Sequence, residues 1–409
     1  MRVLSIGFMY PPDDLGGGYE LTWRSAVRSM RRRGERVRVL ASDWSSPDRQ
    51  EGARSDDDVH RELRVYWDQH RFPRLGPRAR LAIERDNAAV LERHLEELRP
   101  EVVNWWAMGG MSLSLVEQVR RAGVPAVGVV GDDWLNWGPR ADAWVRPFRG
   151  RPRTAKAVER LTGIPAQVDL GGAALWLFNS ERMRASALAA QPELERVAVA
   201  HPGIDADLFR PAPPRPWEWR LLCLGRMDPR KGTHIAVEAM AHLPPQATLV
   251  LQGEGDPDYV AQLRDSVARL RLERRVSFSR QPRESLPAVY ADADAILFPV
   301  QWEEPWGLVP LESMAVGRPV VATGTGGSAE YLRDGDNCLL FQPRDRAREL
   351  AVAVRRLAQS PELRTRLRAG GASTAARFTE SAYNEAIHAA LTEAANSARA
   401  AAPRPRQPA

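Results

Sequence analysis

The sequence predicts an α/β protein made of two doubly wound parallel-sheet domains that face each other across a cleft. Short apolar runs alternate with longer amphipathic stretches, a pattern typical of parallel sheets covered by helices on both faces. A proline-rich break interrupts this alternation near the middle of the chain, and the same alternation then restarts. The length of 409 residues suffices for two domains of roughly 200 residues each. We therefore expect the ligand site in the cleft.

The first half of the chain predicts an N-terminal domain over residues 1–209. Its candidate strands are Val3–Phe8, Arg36–Ala41, Val102–Trp105, Ala126–Val130, Ala174–Phe178 and Arg196–Ala200. Helical patterns lie between several of them, at Glu20–Arg33, Arg78–Arg99 and Leu113–Ala122. Strands and helices that alternate in this way indicate a parallel sheet with both faces covered.

The stretch RPAPPRPWEW, residues 210–219, holds four prolines in ten residues. Proline fixes φ and cannot donate a backbone hydrogen bond, so this stretch is predicted to be an interdomain linker. A second domain is predicted over residues 220–378. Its candidate strands are Leu221–Leu224, Thr248–Gln252, Arg275–Phe278, Ala295–Phe298, Val320–Ala322 and Leu339–Phe341.

The end of the chain predicts a helix followed by a tail. Residues 379–398 are rich in alanine, and Thr379 is a plausible N-cap. We expect this helix to pack back toward the N-terminal domain. Residues 399–409 are small, polar and proline-rich, and are expected to be disordered.

Charge and composition exclude few functions. The net charge is +6, arginine dominates over lysine, and we favour a solvated basic surface. Attraction to anionic membranes or acidic substrates is one alternative; nucleic acid is another, but we find no nucleic-acid-binding motif and expect no such partner. No apolar run reaches the roughly 18 residues of a membrane span. The chain is therefore predicted to be cytoplasmic, with weak peripheral association at the inner membrane face as a variant. Cys223 and Cys338 lie in apolar runs and are expected to be buried thiols.

The segment from Glu303 to Leu340 follows a predicted strand and carries the densest chemistry. A helical pattern starts at Gly307, so its N-terminus, with the amides of Leu308 and Val309, lies just beyond the end of a strand. Free N–H groups and the helix dipole favour an anion such as a diphosphate there. Glu304 precedes the helix and Glu312 lies within it, and ionised carboxylates accept hydrogen bonds from hydroxyls. The alternative is a loop acid and an exposed helix acid.

Two other segments are candidates for phosphate contacts. Arg226 and Lys231 follow a strand, and two cations at that point suit a diphosphate, although a pair of surface charges would look the same. Gly16, Gly17 and Gly18 follow the first strand and would permit close backbone approach to a ligand, but a tight turn explains them equally well.

These motifs together resemble the retaining glycosyltransferases of family 4, whose fold is called GT-B and consists of two Rossmann-like domains. The matching residues are Glu304-Pro305-Trp306-Gly307-Leu308, Glu312, Ala315-Val316-Gly317-Arg318-Pro319-Val320-Val321, Gly326-Gly327, Gly225-Arg226, Lys231-Gly232, His201–Asp205 and Gly253–Asp256. The resemblance implies transfer of a hexose-type sugar from a UDP- or GDP-type donor to a small-molecule, polysaccharide or lipid acceptor. It also implies retention of the anomeric configuration.

The resemblance assigns roles to individual residues. It implies that Glu312 holds the ribose hydroxyls and that Glu304 contacts the donor sugar. Arg226 and Lys231 would neutralise the departing diphosphate, assisted by amides at Gly307, Leu308 and Val309. The glycines at 16 and 17 would lie against the donor phosphate or the acceptor. The base would lie near Gln281, although Arg280 stands where the family usually has glycine. No set of His, Cys and carboxylate residues shows metal-ligand spacing, so no metal or other cofactor is expected.

One departure from the family pattern concerns the acceptor side. Many relatives carry a histidine after the fourth strand, whereas this chain has Gly131 followed by Asp132 and Asp133. Either aspartate is a candidate substitute, and Asp132 is taken as the catalytic one. Asn104-Trp105-Trp106 stands at another place where relatives often carry histidines.

Thirteen tryptophans are many for this length. Several lie in predicted loops of the first half: Trp44, Trp106, Trp134, Trp137 and Trp144. Core packing is favoured for them, and an aromatic-lined acceptor site is the alternative. Two further functions remain open, a nucleotide-sugar epimerase of the same fold and a catalytically inactive nucleotide-sugar-binding protein.

Overall fold

A computed structural model describes residues 1–13, 17–45, 56–67, 72–342 and 346–401. The chain divides into two compact units. Unit 1 comprises Met1–Ala200 together with the chain from Asn384 onward, and unit 2 comprises His201–Tyr383.

Unit 1 is built on a parallel sheet with seven strands in the described residues. They are β1 (Arg2–Gly7), β2 (Arg36–Ser42), β3 (Val59–Leu63), β4 (Val102–Trp105), β5 (Ala126–Val130), β6 (Leu175–Phe178) and β7 (Val197–Val199). The sheet order is β3-β2-β1-β4-β5-β6-β7, and Ile6 pairs with both Leu40 and Trp105. The direction of winding reverses between β1 and β4, so the loops after these strands flank the point where ligands bind in doubly wound sheets.

Helices cover both faces of the unit 1 sheet. They are α1 (Gly18–Arg32), α2 (Pro77–Leu98), α3 (Ser114–Arg121), α4 (Trp134–Ala141), α5 (Pro152–Thr162), α6 (Leu170–Ala173) and α7 (Glu181–Ala190), with a short 3-10 turn at Arg146–Phe148. The central strands are apolar on both faces, as parallel strands beneath two helical layers must be. Leu4, Ile6, Trp105 and Trp176 lie in the resulting core.

Unit 2 repeats this architecture with six strands among the described residues. They are β8 (Arg220–Leu224), β9 (Thr248–Gln252), β10 (Val276–Ser279), β11 (Ala295–Phe298), β12 (Val320–Ala322) and β13 (Leu339–Leu340). The order is β10-β9-β8-β11-β12-β13, all parallel, so the winding reverses between β8 and β11. The helices are α8 (Thr233–Ala239), α9 (Pro257–Arg269), α10 (Leu286–Asp292), α11 (Leu308–Val316), α12 (Arg346–Gln359), α13 (Pro361–Arg377) and, last, α14 (Glu380–Ala401). Short 3-10 turns lie at Pro229–Lys231, Met240–His242, Arg283–Ser285 and Gly326–Glu330.

The predicted pair of doubly wound α/β halves is confirmed, and every predicted strand is present within two residues of its expected bounds. The sequence analysis missed β3. Its sequence, VHREL, lacks an apolar run because β3 is an edge strand whose residues are mostly half-buried.

The first division between the units lies at Ala200/His201 and not in the proline-rich stretch, which corrects the predicted boundary at residue 209 and the predicted linker. The segment 201–219 belongs to unit 2. Prolines remove donors but leave carbonyls free to accept, and the Arg318 guanidinium donates to Pro213 O at 3.1 Å. Ala212 N also donates to Val316 O at 3.0 Å. The proline-rich stretch 210–219 is therefore packed against the rest of unit 2 and is not a free linker.

The last helix begins where the sequence predicts. Thr379 Oγ1 accepts from Ala382 N at 3.2 Å, which makes Thr379 the N-cap. From Asn384 onward the helix packs in unit 1, where Asn384 donates to Ser25 Oγ at 2.9 Å and His388 Nε2 lies 3.0 Å from Glu35. Of the predicted tail, residues 399–401 are helical and the rest lies outside the described residues. Within the described ranges, no helix combines the length and apolarity needed to cross a bilayer.

Candidate active site

The loop after β8 carries the two predicted cations. Arg226 is exposed, and no residue of the described chain forms an ion pair with it. Asp228 accepts from Arg230 N at 2.9 Å and pairs with its guanidinium at 2.7 Å, which lowers the pKa of Asp228 to about 2. This bracing fixes the turn that presents Lys231. Gly232 completes the turn at φ +71°, and a Cβ there would lie 1.8 Å from Pro299 O, so only glycine permits this approach to the neighbouring loop.

That neighbouring loop, between β11 and α11, holds Glu304. Lys231 Nζ donates to both carboxylate oxygens, at 2.9 and 2.7 Å, and Trp302 Nε1 donates to Oε2 at 2.8 Å. The Lys231 ammonium also lies 5.7 Å from the centroid of the Trp302 ring. Only 7% of Glu304 is exposed, so the carboxylate is held in one place by charge-assisted bonds.

The loop after β12 closes over Glu304 from the other side. Gly327 N donates to Glu304 O at 2.6 Å, and Thr325 Oγ1 donates to Trp302 O at 2.8 Å. Gly326 has φ +66°, and a Cβ on it would lie 2.3 Å from Glu304 O. Of the two predicted glycines, Gly326 is needed for this close backbone approach, and Gly327 contributes its backbone N–H. Loops from three adjacent strands, β8, β11 and β12, thus fix one carboxylate at the switch point of the unit 2 sheet.

Helix α11 begins beside Glu304. Gly307 precedes the first helical residue at φ +88°, no side chain caps the helix, and Tyr331 Oη donates to Gly307 O at 2.5 Å. The first-turn amides, those of Leu308 and Val309, are half-buried and have no intrahelical acceptor. Together with Arg226 and Lys231 they give this edge of unit 2 the positive character that a diphosphate requires.

Glu312 is 3% exposed, not the surface acid of the alternative interpretation. Tyr290 Oη donates to its Oε2 at 2.7 Å, and the Arg283 guanidinium donates to its Oε1 at 3.1 Å. Each oxygen of an ionised carboxylate has two acceptor positions, so two remain for other donors. The sequence analysis missed Arg283, Tyr290 and Trp302. The first two contact Glu312 from distant positions in the chain, and Trp302 contacts Glu304 only because the loop folds so that the two side chains meet.

Gln281 lies at the end of β10 and is exposed, and its carbonyl accepts from the buried Gln252 side chain at 3.2 Å. Arg280, which replaces the usual glycine, is paired with Glu254. The predicted motif His201–Asp205 contacts the segments that flank Glu304, since His201 stacks on Trp306 at 4.5 Å and lies 3.2 Å from Glu330.

In unit 1, the glycine loop precedes α1. Gly16 lies outside the described residues. Gly17 is the residue before the helix, and a Cβ on it would lie 2.1 Å from Glu20 Oε2, so Glu20 folds over its Cα. The helix N-terminus therefore already has a carboxylate beside it.

The place of the missing histidine is filled. A Cβ on Gly131 would lie 2.4 Å from Cδ2 of Tyr19, whose hydroxyl donates to Val129 O. The Tyr19 ring therefore occupies the space into which a side chain at position 131 would extend. Asn104 and Trp106 bond to each other at 2.7 Å in the buried core, so neither replaces a histidine.

Asp132 is half-buried at the end of β5. Removal from solvent raises the pKa of its carboxyl to about 7, although the bond from Trp134 N, 3.2 Å long, opposes this, and the charges of Asp133 and Glu20 add to it. A carboxyl with such a pKa exchanges protons near neutral pH, as a general acid or base must.

Comparison with known proteins assigns the family. The model for glycosyl transferases group 1 matches residues 207–374, and the model for Glycosyltransferase Family 4 matches residues 16–208.

The chain belongs to the group 1 and family 4 glycosyltransferases.

Individual relatives agree with this glycosyltransferase assignment. The chain is 34% identical over 165 residues to D-inositol 3-phosphate glycosyltransferase of Mycobacterium marinum, over 37% of this chain and 34% of the relative. It thus spans about a third of the length of that curated relative. Sucrose-phosphate synthase of Thermosynechococcus elongatus has a TM-score of 0.73 at 21% identity, covering 97% of this chain and all of the other. Anabaena HepE, solved with UDP and glucose, has a TM-score of 0.69 at 21% identity, covering 96% and 99%. These structures share the GT-B fold.

Among the described residues of this member of the family, one group has side chains close enough to hold a metal ion: His60, Glu62 and His94. Ligand spacing along the chain does not reveal this group, because His60 and Glu62 lie on β3 and His94 lies on α2. Guanidinium groups already stand there, since Arg38 Nη1 lies 3.3 Å from His94 Nδ1 and Arg93 pairs with Glu62. Arginine side chains therefore already contact His94 and Glu62, and His60 Nε2 lies 2.8 Å from Asp58.

The five tryptophans singled out in the sequence fall into two sets. Trp106, Trp134 and Trp144 are buried in the core, as the packing interpretation predicts. Trp44 and Trp137 are partly exposed.

Proposed function

We propose that this chain is a retaining hexosyltransferase that moves a sugar from a nucleoside-diphosphate donor of the UDP or GDP type to an acceptor hydroxyl. The observation that carries the proposal is the bidentate Lys231–Glu304 pair beside the uncapped start of α11, at the switch point of unit 2. Two comparisons support it. One relative is named D-inositol 3-phosphate glycosyltransferase, and the structural neighbour HepE was solved in complex with UDP-glucose.

The donor would bind along the carboxyl edge of the unit 2 sheet. Its diphosphate would meet Arg226, Lys231 and the amides of Leu308 and Val309. Its ribose hydroxyls would donate to the free positions of the Glu312 carboxylate, and its base would lie near Gln281. Glu304 would accept from hydroxyls of the donor sugar and stabilise positive charge on the ring.

The transfer exchanges one C–O bond for another on the same face of the sugar. The bond between the anomeric carbon and the diphosphate oxygen breaks, and its electron pair leaves with the nucleotide. The acceptor oxygen bonds to the anomeric carbon, and its proton is given up. In unit 1, Asp132 in its ionised form would take that proton. The positive groups of unit 2 would supply the charge stabilisation that other transferases obtain from a divalent cation, so turnover in EDTA should equal that without it.

Substitution of the ion pair tests the proposal. Lys231→Met removes the cation beside a buried carboxylate, and Glu304→Gln keeps the shape but removes the charge. Both should lower donor turnover by roughly 10²-fold or more, by analogy with loss of a transition-state charge partner. The chain has only one other lysine, the exposed Lys156, so Lys156→Met is the matched control and should keep wild-type turnover.

Product analysis separates the alternatives. NMR of the anomeric centre should show the donor's configuration, whereas an inverted linkage would contradict the retaining mechanism. Donor that is recovered with an altered sugar would indicate an epimerase. Donor that binds but stays intact with every acceptor would indicate a binding protein.

A further inference from the structure

Two groups of touching aromatic rings lie at the carboxyl edge of the unit 1 sheet, in its loops and on α4. Phe8, Trp44 and Trp67 contact one another with centroid distances of 5.2 to 6.2 Å, and Phe72 meets Trp137 at 5.8 Å. We call these five residues the aromatic band. Phe8 follows β1 and Trp44 follows β2, so the band begins at the strand ends beside the switch point.

Two glycines join the two parts of the band. A Cβ on Gly110, at φ +92°, would lie 2.8 Å from Trp67 Cβ, and a Cβ on Gly109 would lie 2.6 Å from Trp137 Cη2. The backbone of the loop after β4 therefore lies directly against one indole on each side. Larger residues at these two positions would push the Trp67 and Trp137 side chains away from the loop. The two glycines therefore allow both parts of the band to pack against the same loop beside the switch point.

Phe8 anchors the band in the core, where it is 6% exposed, and the other four residues reach the surface. Trp44, Trp67 and Trp137 are partly exposed, and 41% of Phe72 is exposed. Large exposed apolar side chains are otherwise rare in the described chain, where Leu161 and Val352 are the others of this kind. Exposed apolar surface that is contiguous and lies at a ligand-binding edge indicates a binding site.

Carboxylates accompany the rings. Asp133 Oδ1 accepts from Trp137 Nε1 at 3.1 Å, which fixes the indole and leaves the other oxygen of this exposed side chain available. Asp43, also exposed, precedes Trp44, and Asp132 lies at the same edge. An apolar ring face beside acceptor-only groups suits a sugar, which presents C–H bonds on its face and hydroxyl donors at its rim. The same carboxylates disfavour a phosphate.

We propose that the aromatic band binds an uncharged sugar ring of the acceptor. The role of this sugar as an acceptor rests on the proposed function, whereas its binding to the aromatic band does not. The acceptor would then differ in charge from the inositol phosphate that appears in the names of the curated relatives.

Ligand-observed NMR on the full-length protein without donor tests the proposal. The probes are methyl glucoside, methyl mannoside, maltose and cellobiose, compared with inositol 3-phosphate and 4-nitrophenol. At least one neutral sugar should show saturation transfer, and Trp137→Ala should weaken its binding roughly five- to ten-fold. Trp137→Phe should restore most of it, and Gly109→Val, which displaces the indole, should weaken it as well. Trp217→Ala is the matched control, because Trp217 lies in unit 2, just before the amino end of β8, and is not part of the band.

Each result decides the matter. The proposal is overturned if no neutral sugar binds, if the phosphate or the phenol binds in preference, or if Trp137→Ala binds sugar as tightly as wild type. UDP binding, measured on the same samples, should be unchanged in the band variants. If wild type binds the sugar but not UDP, the proposed transferase function is refuted, and the proposed sugar site is not.

Discussion

Replacement of Gly326 by alanine isolates the positioning of Glu304. The added Cβ would lie 2.3 Å from Glu304 O and 2.4 Å from Glu304 N, against an ordinary contact of 3.4 Å or more, so the loop must retreat by about 1 Å. A displacement of that size at a reacting group lowers turnover by about 10²-fold. The positive φ adds a stability loss of about 1–2 kcal/mol.

Gly335→Ala is the matched control. Gly335 has φ +71°, close to that of Gly326, but a Cβ there would meet nothing within 4 Å. Urea unfolding should therefore show a loss of about 1–2 kcal/mol for this variant as well, while a UDP-release assay gives wild-type turnover. Equal turnover in the two variants would refute the claim that the close packing of Gly326 sets the position of Glu304.

Three further predictions concern other residues. Acceptor-dependent turnover of wild type should rise with pH through about 7 as Asp132 ionises, and Asp132→Asn should lose this limb. Because the folded-state pKa is raised, wild type should also lose stability relative to Asp132→Asn as pH rises from about 4 to about 7, and parallel melting curves would contradict this. Gly131→His should destabilise by about 1–3 kcal/mol through overlap with the Tyr19 ring, and adding Tyr19→Ala should recover part of the loss in thermal melts. Burial raises the pKa of Cys223 and of Cys338 to about 12, so a thiol reagent should label neither in the native protein and both in urea; native labelling would show that one is accessible.

The unit 2 loops were predictable because their constraints are local in sequence. Gly307 and Gly317 bracket α11 as expected, since glycine adopts the positive φ that both helix ends need. The Glu304–Lys231 contact was not readable from periodicity. It follows from strand order, because β8 and β11 are neighbours although two strands intervene between them in the chain.

The remaining features depend on contacts distant in sequence. Gly131 marked a departure, but the Tyr19 ring that fills its place comes from a helix more than a hundred residues earlier. The stretch 210–219 was predicted to be a linker because Arg318, which donates to the Pro213 carbonyl, lies about a hundred residues later in the chain. Tryptophan identity alone could not separate core from surface, since Trp134 is fully buried and Trp137, one helical turn later, is partly exposed.

Nucleotide binding tests the central claim most directly. Thermal melts of wild type, Lys231→Met and Lys156→Met with UDP, GDP and ADP measure whether unit 2 holds a nucleoside diphosphate. The account predicts that UDP or GDP raises the melting temperature of wild type and Lys156→Met, and that the rise is largely lost in Lys231→Met. A wild-type melting temperature that no nucleotide changes, or an undiminished rise in Lys231→Met, would contradict it.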